Sequence, residues 1–243
     1  GDTEMFYDTR PEEGMIDGQK FSDLVDNFRL IEIWNDVFME FNKTADGKYE
    51  KLAQPNVDTG MGVERTLAVL NGKENVFETE LFKDIFHKIA LLMSQKMEPN
   101  IPFSEEIRPR QQWYAGLSDE DKHSARIVAD HIKAATFMIA DGVTPLNIGR
   151  GYVLRRIIRR AVRHGKKLGI ENNFARKISE VVIKMYGSFY AELEKNQENI
   201  FIELEKEENK FRQTLERGLK EFNKLSSVSG KDAFNLYQSY GFP

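Results

Sequence analysis

The apolar residues of this 243-residue chain change their spacing once, and that change restricts the fold more than any single motif. From Leu30 to Asn42 the chain is rich in β-branched and aromatic residues, so an extended backbone places Ile31, Ile33, Asn35, Val37, Met39 and Phe41 on one face. Thr44-Ala45-Asp46-Gly47-Lys48 supplies a hairpin turn through Asp-Gly. A second strand runs from about Tyr49 through Leu52, and Pro55 precedes an alternating stretch that leads into the helix Thr66-Leu67-Ala68-Val69-Leu70. After Asn71-Gly72 the period becomes helical, with Leu81, Phe82, Ile85, Phe86, Ile89, Leu92 and Met93 behind a start at Glu78 or Thr79. The expectation is an α+β chain: two or three antiparallel strands and a helix over residues 1–75, then an all-helical region over 76–243.

The remaining elements follow the same logic. Met5-Phe6-Tyr7 reads as a short strand, followed by a loop through Pro11, Gly14 and Gly18. Residues 98–116, with three prolines, read as a connecting loop. Ser118 and the acidic run behind it cap a helix carrying Ala125, Val128, Ile132, Ala135 and Ile139, ended by Asp141-Gly142. Further helices are expected over 174–186, over a long apolar series from Tyr190 to Leu225, and from Ala233 onward. The long series invites a coiled coil, but it is broken near Asn196-Gln197 and Glu207-Glu208, which favours packing across a helical domain.

Composition narrows the chemistry. No apolar run reaches the roughly 18 to 20 residues of a membrane span, and the opening residues resemble no secretory leader, so a cytoplasmic protein without a membrane partner is expected. Without cysteine there is no disulfide or thiolate metal site, and the four histidines show no ligand spacing. The net charge of −4 argues against wholesale nucleic-acid binding, yet the charge is segregated. Gly1 at one end and Gly241-Phe242-Pro243 at the other, with no linker, suggest a piece of a longer protein.

Three places carry chemistry. If residues 56–62 are extended, Asn56, Asp58, Gly60 and Gly62 share one face, and a carboxylate stands beside two bare positions where a ligand could approach. The alternative is a bulged strand whose Asp58 caps the next helix. Asn35 interrupts an apolar face; leaving a buried amide unpaired costs about 1 to 3 kcal/mol, so its neighbours are either polar core groups or a ligand. Between Gly151 and Gly165, taken as the ends of the segment, apolar pairs alternate with Arg pairs, and residues 150–167 hold six arginines and two lysines. That helix buries one stripe and presents guanidinium groups on the other. It is either a solvated face or a contact for RNA or DNA phosphates, the chemistry that Arg serves best.

Thr59-Gly60-Met61-Gly62-Val63-Glu64-Arg65 resembles the third signature motif of class II aminoacyl-tRNA synthetases. The blocks Asp2 to Asp8, Glu32 to Met39, Val57 to Arg65, Ala129 to Ile132, Ala140 to Val143 and Arg150 to Arg156 are similar, in order, to the alanyl-tRNA synthetase family. The resemblance implies the C-terminal part of a class II antiparallel sheet followed by a helical tRNA-recognition domain. It implies activation of alanine by ATP, with Mg²⁺ as the substrate complex, and transfer to tRNA(Ala). Asp58 would then hold the alanine ammonium, Asn35 and Val37 would line the side-chain pocket, Gly60 would leave room for substrate, and Arg65 would contact ATP. Glu64 would be structural. Asn147, Arg150, Arg159 and Arg160 would meet the acceptor stem, although Asn147-Ile148-Gly149-Arg150 departs somewhat from the family's form. The first two class II motifs are expected before Gly1, so the segment alone should not make alanyl adenylate, and a zinc-dependent editing domain is expected beyond Pro243. A noncatalytic RNA-binding helical module is the second reading, and a purely structural helical scaffold a third.

Overall fold

The computed structural model describes residues 1–97, 114, 116–171, 173–225 and 227–240. The chain forms two compact units, residues 1–83 and 84–243.

The first unit is built on an antiparallel meander of β1 (Asp2–Asp8), β2 (Leu30–Lys43) and β3 (Tyr49–Met61), with β2 in the centre. The strand expected around Phe6 and the one from Leu30 are both present. The second and the alternating stretch are a single strand, β3, whose pairing slips between the partners of Met39 and Phe41. Pro55 lies in that slip, where a residue without an N–H costs the ladder nothing. Helix α1 (Phe21–Asp26) sits between β1 and β2, a segment for which the sequence offered no clear period. It buries Leu24 and returns the chain through Phe28, which takes the left-handed conformation at φ 60°. That turn delivers the buried Arg29 to Asp8: Arg29 Nε and Nη2 each donate to its carboxylate at 3.1 Å. The paired guanidinium, and next the Arg10 N–H, hold the Asp8 carboxyl below the usual carboxylate range. The clamp ties the end of β1 to the start of β2. Helix α2 (Val63–Leu70) follows β3 directly and buries Ala68.

Helix α3 (Glu80–Met97) begins where the period predicts and buries Phe82, Ile85, Phe86, Ile89 and Leu92. The loop expected next falls on residues outside those described, apart from Tyr114 and Gly116. The second unit continues with α4 (Asp119–Ala140), α5 (Gly149–Lys167), α6 (Phe174–Tyr186), α7 (Ala191–Lys195), α8 (Gln197–Phe222) and α9 (Gly230–Tyr240). Ser118 caps α4 by accepting from the Asp121 N–H at 3.1 Å. All five apolar residues expected on its inner face are fully buried, and α4 packs against α5, α6 and α8.

The apolar series from Tyr190 to Leu225 is two helices rather than one. Asn196 separates them, and its side-chain amide donates to the Ala140 carbonyl at 2.8 Å, satisfying an orphan acceptor at the end of α4. The other break, Glu207-Glu208, stays helical and buried. Among the described residues the apolar stripe of α8, including Ile200, Phe201, Leu204, Phe211 and Leu215, is buried inside the unit, the packing across a helical domain that the broken series favours.

Candidate functional site

The antiparallel register decides what stands beside Asp58. Asn35 pairs with Gly60 and Val37 with Asp58, and directly opposed residues project to the same face. With Asn35 and Val37 two apart on β2, and Asp58 and Gly60 two apart on β3, the four residues proposed for an amino-acid pocket form one square on one face of the sheet. Asp58 is not a helix cap: α2 is preceded by Gly62, with no side-chain cap, and Asp58 remains within β3. The helix-cap alternative is thereby removed.

Gly60 is there for space. A Cβ at this position would lie 2.5 Å from Asn35 Oδ1, so the Asn35 side chain leans across the strand into the volume that glycine leaves empty. Asn35 is half-buried rather than enclosed, since Val37, Asp58 and Gly60 beside it are exposed. The square is an open polar step, with the amide and the carboxylate on opposite corners.

Arg65 lies in the first turn of α2 and reaches back along β2. Its Nη1 donates to the Glu32 carbonyl at 3.1 Å and lies 3.6 Å from the Glu32 carboxylate, while half of the side chain stays exposed. Gly62 lets it lie there, because a Cβ would come within 3.2 Å of Arg65 Cδ. One unit therefore holds Asn35, Val37, Asp58, Gly60 and Arg65. The other holds Asn147, Arg150, Arg159 and Arg160.

In the second unit, α5 sorts its basic residues by face. Arg150 and Arg160 are exposed. Asn147, in the turn before the helix, accepts from Arg155 Nη1. Arg159 points inward along α8: its Nε donates to Glu207 at 2.5 Å and its guanidinium lies over the Phe211 ring, 5.1 Å from the centroid. Gly151 and Gly165, expected at the ends of the segment, lie inside the helix. A Cβ on Gly151 would sit 2.5 Å from the Thr144 carbonyl, and one on Gly165 would sit 2.6 Å from the Phe174 ring, so both mark close approaches.

Two groups escaped the sequence reading. Glu208 is fully buried on α8, where it accepts the Ala175 N–H at the start of α6 and the Arg212 Nε, both at 3.0 Å. The paired glutamates interrupting an apolar series were the available signal. His164, on the flank of α5 facing α4, lies 3.0 Å from Ser124 Oγ through Nδ1. Burial first, and then the charges of His123, Lys167, Arg160 and Arg163, push its pKa down to about 4.

The sign of the His164 effect on stability follows. An unfolded histidine titrates near 6.5, so between about 6.5 and 4 the unfolded chain takes up a proton that the folded chain does not. Stability therefore falls as pH drops through that window. Thermal midpoints measured between pH 7 and pH 4.5 are expected to fall less in His164→Asn, which keeps a polar partner for Ser124, than in the wild type. Equal slopes would remove His164 from this account.

Among the described residues no group of three or more His, Cys, Asp or Glu could hold a metal ion, and no helix is long and apolar enough to cross a membrane.

Comparison with known proteins identifies the family. The family model described as tRNA synthetases class II (A) matches residues 2–243. The alanine–tRNA ligase of Treponema pallidum is 41% identical over 253 residues, covering the whole chain and 38% of the ligase. That of Borrelia hermsii is 42% identical over 250 residues, again over the whole chain and 39% of the ligase. That of Synechococcus elongatus is 42% identical over 246 residues, covering 99% of the chain and 26% of the ligase. The chain thus spans between about a quarter and two fifths of the length of these relatives. With a family match from end to end over a strand–glycine–helix site and an arginine-bearing helical unit, the chain belongs to the class II (A) tRNA synthetases.

Proposed function

We propose that the chain is the alanine-binding and tRNA-recognising segment of an alanine–tRNA ligase, which activates alanine with ATP and transfers it to tRNA(Ala). The observation that carries this reading is the square of Asn35, Val37, Asp58 and Gly60 on one sheet face. Asp58 supplies an anion for the alanine ammonium, an interaction between charged groups that contributes about 1.5 to 3 kcal/mol. Asn35 and Val37, on the same face, would stand beside the alanine methyl group. Arg65, planar and permanently charged, meets the triphosphate and the adenine face of ATP. Mg²⁺ enters with ATP as its substrate complex and needs no dedicated protein cage.

On this reading residues 1–75 complete part of the catalytic domain, and residues 76–243 read the acceptor stem through Asn147, Arg150 and Arg160, with Arg159, already holding Glu207, at the border of that surface. The remaining catalytic motifs and a zinc-dependent editing domain belong to other parts of the ligase, a cytoplasmic enzyme. The isolated segment is inactive in adenylate formation.

Gly60→Ala in the full-length ligase tests the pocket. The added methyl meets the Asn35 amide oxygen, the end of a flexible side chain, and turns it out of its place beside Asp58, so alanine-dependent ATP–pyrophosphate exchange is expected to fall, by about tenfold for each 1.4 kcal/mol of transition-state binding lost. Exchange at the wild-type rate and KM would overturn the assignment of this face to alanine. The second reading, a noncatalytic RNA-binding module, predicts that unchanged exchange.

A further inference from the structure

Helix α5 carries more cations than any other element, and the structure separates those committed to protein from those left facing solvent. Arg156, Arg160 and Arg163 follow one another at i, i+4 and i+7, the spacing that keeps side chains on one helical face. All three are exposed, and among the described residues none makes an ion pair or hydrogen bond to a carboxylate. At about 1.5 Å of rise per residue the row is roughly 10.5 Å long. That is the length of about three nucleotides of sugar–phosphate backbone, so each guanidinium can meet its own phosphate. Tyr152 stands one turn ahead of Arg156 on the same face, with its ring centroid 5.7 Å from the Arg156 guanidinium carbon, and restricts where that guanidinium points.

The neighbouring Arg159 belongs to the other class. Its side chain is 23% exposed and its carboxylate partner only 7%. A phosphate could use Arg159 only by displacing a nearly buried Glu207, which would leave that carboxylate uncompensated.

We infer that Arg156, Arg160 and Arg163 form one track that neutralises consecutive phosphates of a single RNA strand, and that Glu207 is a positioning residue that keeps Arg159 out of the track. This deepens the proposed tRNA contact and rests on it. The carboxylate on α8 withholds one guanidinium, that of Arg159, from the solvent face of α5. Arg156 and Arg163 thereby join Arg160 as backbone contacts.

The test is the salt dependence of binding of the 243-residue chain to an RNA duplex with the sequence of the tRNA(Ala) acceptor stem. Each neutralised phosphate contributes about 0.7 to 0.9 to the slope of log K against log salt. Arg156→Ala and Arg163→Ala are each expected to reduce the slope by about that amount, whereas Lys195→Ala on α7 leaves it unchanged. Glu207→Gln is expected to release Arg159 and steepen the slope by a similar amount, a gain that mere loosening of the fold would not produce. Should Glu207→Gln fail to fold, the two exposed arginine variants decide the matter alone. Wild-type slopes in both arginine variants would overturn the track, even if the alanine stem is still preferred. Equal affinity for an unrelated duplex, with the slope losses intact, would leave the track standing and overturn the tRNA(Ala) reading. Absence of RNA binding at any salt would overturn both.

Discussion

Alanine-dependent ATP–pyrophosphate exchange by the full-length ligase is expected to fall about 10- to 150-fold when Asp58 is replaced by alanine, the loss that follows from removing an interaction of about 1.5 to 3 kcal/mol with an ammonium group. The substitution is clean in structural terms. Asp58 is exposed on β3 and takes part in no side-chain hydrogen bond or ion pair among the described residues, so no buried partner is abandoned. Stability should change by no more than about 0.5 kcal/mol, the range of an uninvolved surface position. Asp58→Asn keeps the shape and an acceptor oxygen while removing the charge, so it should fall between the two. Retention of full exchange in Asp58→Ala, with normal folding confirmed by circular dichroism, would remove the carboxylate from alanine binding and leave the square without its anchor.

The largest effect on stability is expected from Glu208→Ala. This carboxylate is fully buried and holds two elements at once: the first turn of α6 through the Ala175 N–H, and Arg212 of its own helix, whose Nη2 also donates to the Glu171 carbonyl at 3.0 Å. Truncation leaves an N–H without its acceptor and a largely buried guanidinium without its counter-charge, a situation that typically costs about 3 to 5 kcal/mol. For a unit of this size that corresponds to a fall of very roughly 10 °C in the thermal midpoint. Glu208→Gln retains one acceptor and should lose less. Glu205→Ala serves as a contrast, because its pairing with Arg176 at 3.2 Å is partly exposed and contributes less than about 1 kcal/mol. Melting of Glu208→Ala at the wild-type temperature would show that the network is ornamental to the fold.

Both residues illustrate how unevenly the molecule can be read from its sequence. The α4 core face was legible because Ala125, Val128, Ile132, Ala135 and Ile139 repeat at three and four, and burial of a helical stripe needs nothing further. The ends of α6 were equally plain. Helix α1 was not, since six residues with a single buried leucine carry too little period to distinguish from a loop. Arg159 and Arg160 are adjacent and chemically identical in the sequence. They differ only in what the next helix brings: Glu207 and Phe211 face one, and solvent faces the other. Asn196 looked like a gap in an apolar series, and its use as a cap for α4 depends on a carbonyl 56 positions away.

By itself the sequence determined the α+β order of elements, the alternation that puts Asp58 and Gly60 on one side of a strand, and the concentration of arginine on one helix. These are local consequences of a period of two or 3.6 and of residue chemistry. Tertiary structure decided the rest. Only the β2–β3 register could set Asn35 against Gly60 and Val37 against Asp58, because a slip of one residue would turn every side chain of the strand to the opposite face. Only the packing of α8 on α5 could commit Arg159 to a buried carboxylate and leave Arg156, Arg160 and Arg163 facing solvent, because a charge is committed by the partner that desolvates it and not by its place in the chain.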